Sequence, residues 1–191
     1  MILALVGVGV MAGCSSVTVE TGPRSRESAR EIAGNQAGDL RSIWADRFDN
    51  ASPLQAAAYL KTFIDTTAGR YLDFGGQVLN RWRDLNAQST QDLAGPAVQD
   101  MIDRSVADQR AIFEAYDDVV ELGARTVRDS AYFDARDEAL IMDMRDEYMG
   151  IRQFVFAPAG TFNEYRAGLE DRRRDLEDLS REVGEMFEDY R

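Results

Sequence analysis

Residues 162–190 read FNEYRAGLEDRRRDLEDLSREVGEMFEDY, and their spacing decides the fold. Phe162, Leu169, Leu176, Val183 and Tyr190 recur every seven residues, and Tyr165, Arg172, Leu179 and Met186 hold the alternate seam positions. Only Arg172 breaks the pattern. A seven-residue apolar repeat of this length predicts one long helix with a coiled-coil-like seam. Thr161 with Glu164 forms a capping box that opens it. The seam is expected to pack on helices of its own chain, because the other helices also carry apolar stripes that need cover; a second chain is the alternative partner.

Upstream, Pro53, Pro96 and Pro158 fall where apolar periodicity resets. A first helix is expected from about Ser25 to Phe48, weakened by Gly34 and Gly38. Ser52-Pro53-Leu54-Gln55 is a capping box with proline at the first helical position, and a second helix follows, with Gly75-Gly76 as a point of interruption. A third follows Gly95-Pro96, with apolar residues running from Val98 to Val127. Continuing that stripe would turn Ser130, Asp134 and Asp137 inward, which predicts a break near Asp129-Ser130. A fourth segment carries Phe133, Leu140, Ile141, Met144, Tyr148, Ile151 and Val155. No period-two strand pattern and no repeat of twenty to fifty residues is present. The expected fold is all-α: an elongated antiparallel bundle of four to five helices ending in the coiled-coil-like C-terminal helix.

The chain has 34 acidic residues against 22 basic ones, no histidine and a single cysteine, in 191 residues. A formal charge of -12 repels a phosphate backbone, so no nucleic-acid partner is expected. Without histidine there is no imidazole base and no Ser-His-Asp or Cys-His nucleophile. Metal sites built on histidine or paired cysteines are lost as well. No catalytic residue, cofactor or metal site is therefore assigned, and the chain is not expected to be an enzyme.

Carboxylates are the abundant catalytic type that remains. Asp134, Asp137, Glu138, Asp143, Asp146 and Glu147 share one helix at spacings of three and four, which reads as a divalent-cation site or as a solvated acidic face. A cation-binding or carboxylate-based hydrolytic domain is thus the alternative function. Arg172-Arg173-Arg174 reads as a salt-bridged face, with Glu170 to Arg174 and Glu177 to Arg181 in the favourable order, or as a patch for anionic lipid or cell wall. Lys61, the only lysine, is the sole candidate base for a Ser-Lys dyad, but no serine motif accompanies it. Phe154 to Gly160 is an apolar connection that either closes the bundle end or exposes a sticky patch.

Residues 1–13, MILALVGVGVMAG, are uncharged and apolar. As a helix they would rise roughly 20 Å, short of a hydrocarbon core of about 30 Å, and they fit the apolar region of a signal peptide. Met11-Ala12-Gly13-Cys14 resembles the lipobox of bacterial lipoproteins, with Met11 where the family usually has Leu. The resemblance implies cleavage before Cys14 and a diacylglyceryl thioether on its thiol. No Lys or Arg precedes the apolar run, so the start codon is expected upstream of Met1. Residues 14–23 are read as the lipidated Cys14 and a tether that can reach about 30 Å when extended, and residues 24–191 as the helical domain. Ser15, following the cysteine, resembles the outer-membrane sorting class, for a host with two membranes. The expectation is a lipid-anchored envelope protein on the periplasmic side, joined to the membrane by its lipid and acting on an envelope protein partner as scaffold, adaptor or assembly factor.

Overall fold

The computed structural model describes residues 23–86 and 95–190. Among them are six helices: α1 (Pro23–Asp49), α2 (Pro53–Asn86), α3 (Pro96–Val106), α4 (Arg110–Asp129), α5 (Ala135–Phe156) and α6 (Phe162–Glu188). The all-helical reading holds over these residues. None of their helices is long and apolar enough to cross a membrane.

Local chemistry sets most of the boundaries. Pro53 and Pro96 stand at first helical positions, where the missing N–H costs nothing. At the start of α2, Ser52 N–H donates to Gln55 Oε1 at 3.0 Å. Asp134 caps α5 by accepting from the N–H groups of Arg136 and Asp137. Thr161 and Glu164 form the expected reciprocal box, and the hydrogen bond from the Thr161 N–H holds the Glu164 carboxyl below its ordinary pKa. Between α4 and α5, Ala131 takes a left-handed φ of 47°, and Ser130 Oγ accepts from the Tyr132 N–H.

α2, at 34 residues about 51 Å long, is the axis of the bundle. Leu60, Ile64, Ala68, Tyr71, Val78 and Trp82 bury its stripe against α4, α5 and α6. α4 and α6 run antiparallel to α2: Tyr71 meets Phe113 and Leu60 meets Gly123, while Trp82 meets Tyr165 and Lys61 meets Ser180. α5 runs antiparallel to both α4 and α6, with Arg152 beside Asp117 and Phe154 beside Tyr165.

Four features differ from the sequence reading. The single helix expected from Pro96 to Val127 is two, α3 and α4, separated by a turn at 107–109, which raises the number of helices to six. Val106 and Phe113 are seven residues apart and both buried, so the apolar phase runs through the turn without a trace. α1 runs parallel, not antiparallel, to the helix it lies on. Arg30 pairs with Asp108, Arg41 with Asp118, and Phe48 packs on Gly123. Gly75-Gly76 does not interrupt α2. Gly75 instead lets α6 approach, since a Cβ there would lie 2.6 Å from Leu169 Cδ2. The expected tether overlaps α1 by one residue, because α1 starts at Pro23; residues 14–22 lie outside the described residues.

Candidate functional site: a polar belt through the bundle

Midway along the bundle, four helices bring ionisable side chains to one level inside an otherwise apolar core. Asp117 on α4, with a side chain 16% exposed, is the centre. Tyr71 on α2 and Tyr148 on α5 both donate to its Oδ1, at 3.1 and 3.0 Å, and the two hydroxyls are 3.5 Å apart. Arg152 Nε stands 2.5 Å from Asp117 Oδ2, off the hydrogen-bond axis, so this contact is chiefly ionic. Aromatic rings wall the node. Tyr71 stacks on Phe113 at 5.2 Å, and Phe156 lies edge-on to both.

Burial dominates the electrostatics. It raises the Asp117 carboxyl above the ordinary aspartate range, against the opposing charge of Arg152. It also pushes both phenols far above the ordinary tyrosine range, with the Asp117 charge adding to the rise. The tyrosines are therefore held as donors to a carboxylate. That arrangement fixes helices and stores a proton-binding group; it does not supply a tyrosinate nucleophile.

The node extends into a closed ring. Arg172 Nη1 on α6 reaches Glu147 Oε2 on α5 at 2.8 Å, and the Glu147 side chain is only 13% exposed. Arg173 faces Asp73 of α2 at 3.7 Å. Arg70 of α2 donates to the Tyr116 hydroxyl of α4. Travelling α2, α6, α5, α4 and back to α2, each neighbour is joined to the next by an arginine. With 21 of the 22 basic residues being arginine, the sequence is supplied for links of this kind.

Cys14, the lipidation candidate, lies outside the described residues. The acids of α5 do not converge. Asp134 caps the helix, Asp137 accepts from the Tyr190 hydroxyl at 2.7 Å, and Glu138 faces Arg128 at 3.9 Å. Asp146 pairs with Arg145, and Glu147 with Arg172. Among the described residues, no group of three or more His, Cys, Asp or Glu side chains is placed to hold a metal ion.

Lys61 does meet a serine. Its Nζ lies 2.7 Å from Ser180 Oγ, in a groove of about 450 Å³ between α2 and α6. The same Nζ lies 2.8 Å from Asp65 Oδ2, and Ser180 Oγ donates to that carboxylate at 3.1 Å. Lys61 Nζ donates to Ser180 Oγ, and the serine's own proton is directed at Asp65 rather than at the amine. The trio ties α2 to α6.

The basic run of α6 is salt-bridged, but not by the partners its spacing suggested. Arg174 takes Asp171 at 2.9 Å and Arg181 takes Asp178 at 2.7 Å, both three residues away, while Arg172 and Arg173 leave the helix altogether. The aromatics of the Phe154–Gly160 connection turn inward: Phe154 stacks on Tyr165 at 4.9 Å, closing the bundle end.

Spacing concealed the belt. Tyr71 and Tyr148 read as ordinary stripe residues, and Asp117 as one acid among 34. Arg172 alone carried a visible signal, as the one charge in the seam.

The chain matches no family model, no curated protein and no solved structure.

Proposed function

We propose that this chain is a lipid-anchored bacterial envelope protein whose helical body is non-catalytic and works through contacts with other proteins. The observation that carries the reading is the run of thirteen uncharged apolar residues, closing on Met11-Ala12-Gly13 and followed by Cys14. An apolar segment too short to span a bilayer, followed by small residues and the only thiol of the chain, fits export followed by lipidation. Attachment through lipid leaves the body outside the bilayer.

The non-catalytic reading rests on residue types. No imidazole is available, and Asp134, Asp137, Glu138, Asp146 and Glu147 are engaged by a cap, a tyrosine and arginines. The regular seam of α6 supports the elongated, coiled-coil-like bundle expected of a scaffold, adaptor or assembly factor. Ser15 after the cysteine favours the periplasmic side of the outer membrane in a host with two membranes.

Metabolic labelling with a palmitate analogue tests the anchor. Wild type should take up label and appear in the membrane fraction, and Cys14→Ser should stay unlabelled as uncleaved precursor, because serine offers no thiolate for the diacylglyceryl donor. Equal labelling of the two would overturn the proposal.

A further inference from the structure

The two halves of α1 are held to the bundle by different chemistry. In its C-terminal half, Phe48 is 1% exposed, packed on Gly123 and Leu60, and Trp44 lies edge-on to Phe63 at 4.7 Å. Over Arg30–Leu40, by contrast, the fully buried side chains are Ala33 and Ala37, and Leu40 at the end of the stretch is the one larger apolar side chain packed on the core. Across from them on α4 stands Ala115, also fully buried, on the face bounded by Asp108 and Asp118, which pair with Arg30 and Arg41. These three alanines stand outside the continuous apolar cluster of the bundle. Little apolar area holds residues 30–40, and the ion pairs of Arg30 and Arg41 that flank them are solvent-exposed and open to screening by salt.

The glycines of this half sharpen the contrast. A Cβ at Gly34 or Gly38 would meet nothing within 4 Å, whereas at Gly75, Gly123 and Gly168 it would strike a side chain at 2.5 to 2.6 Å. Packing therefore requires glycine at the latter three and not at 34 or 38. What remains of Gly34 and Gly38 is their effect on the helix itself, which each makes easier to open.

We propose that residues 30–40 form a releasable strap: this half of α1 lifts from α4 while Trp44 and Phe48 keep the other half seated. Opening frees eleven residues, which span about 36 Å as extended chain against about 16 Å as helix, a gain of about 20 Å in reach. The inference stands on the α1–α4 contact alone and is independent of the lipid anchor.

Hydrogen exchange followed by mass spectrometry on the full chain in detergent tests it. Amides of 30–40 should exchange far faster than those of α2, α4, α5 and residues 44–49, and faster still at 0.5 M than at 0.05 M sodium chloride. The double variant Gly34→Ala/Gly38→Ala should slow that exchange about fifteenfold to thirtyfold, the two helix propensities combined, with α5 unchanged. A second measurement separates lifting from fraying in place. The thiol introduced by Ala115→Cys in a Cys14→Ser background should be alkylated under native conditions, and more slowly once both alanines are present. Protection of 30–40 equal to that of α4, exchange indifferent to the two alanines, or an introduced thiol that reacts only on global unfolding would each overturn the proposal.

Discussion

The ring of Phe48 on α1 occupies the space a side chain at Gly123 on α4 would need: a Cβ there would lie 2.6 Å from Phe48 Cζ and 3.0 Å from Leu60 Cδ1. Glycine at 123 is thus what lets α1 and α2 meet α4 at one point. Gly123→Ala should cost about 1 to 3 kcal/mol through overpacking. Urea denaturation should show a lower midpoint, with exchange in residues 44–49 rising more than in α5.

Leu176 is 6% exposed and lies in the interface of α6 with α2. Leu176→Ala should cost about 2 to 5 kcal/mol. Because this burial is within the chain, the melting temperature of wild type and variant should not depend on protein concentration. A wild-type dimer that dissociates to folded monomers on this substitution, seen by sedimentation equilibrium, would place the seam between chains instead.

Arg172 and Glu147 form a lopsided pair. Glu147 Oε1 is buried without a hydrogen-bond partner, so Arg172 is the principal compensation for its charge. Arg172→Leu restores the apolar seam yet strands the carboxylate, and should destabilise by about 1 to 3 kcal/mol, discounted because Arg172 is itself partly exposed. Adding Glu147→Leu should recover most or all of that loss. A double variant no more stable than Arg172→Leu alone would mean that the stranded charge is not the cause.

For Asp117 the sign of the pH dependence follows from burial. Its carboxyl titrates higher in the folded chain than in the unfolded one, so folding favours the protonated form, and that contribution is lost as pH rises through the raised pKa. Compared with Asp117→Asn, wild type should therefore lose stability from about pH 4 upward and level off once the carboxyl is fully ionised. Chemical denaturation of both proteins across that range measures the difference. The opposite slope would show that Arg152 outweighs burial.

The helices were legible in the sequence wherever a cap or a phase reset marked them: Ser52 and Gln55, Gly95 and Pro96, the shift near Asp129, Thr161 and Glu164. The turn at 107–109 was not, because Val106 and Phe113 stay in phase across it and neither glycine nor proline marks it. The parallel course of α1 was also hidden. A helix laid along the side of a bundle has no direction written in its periodicity; Arg30–Asp108, Arg41–Asp118 and Phe48 on Gly123 reveal it in the fold. The belt escaped for a related reason. Spacing within a helix reports which residues share a face, whereas Asp117, Tyr71, Tyr148 and Arg172 are brought together by the relative heights of four separate helices.

Because α1 descends alongside α4 rather than against it, the molecule has a near pole and a far pole. Residue 23 enters at the pole where α2 and α5 finish and α3 and α6 begin, the one where Trp82 and Phe154 pack on Tyr165. The hairpins at 50–52 and 130–134 and the end of α6 gather at the other, where Tyr132, 48% exposed, leans on Phe133 and Tyr190. The start of α1 and the exposed ring of Tyr132 thus mark opposite ends of the bundle.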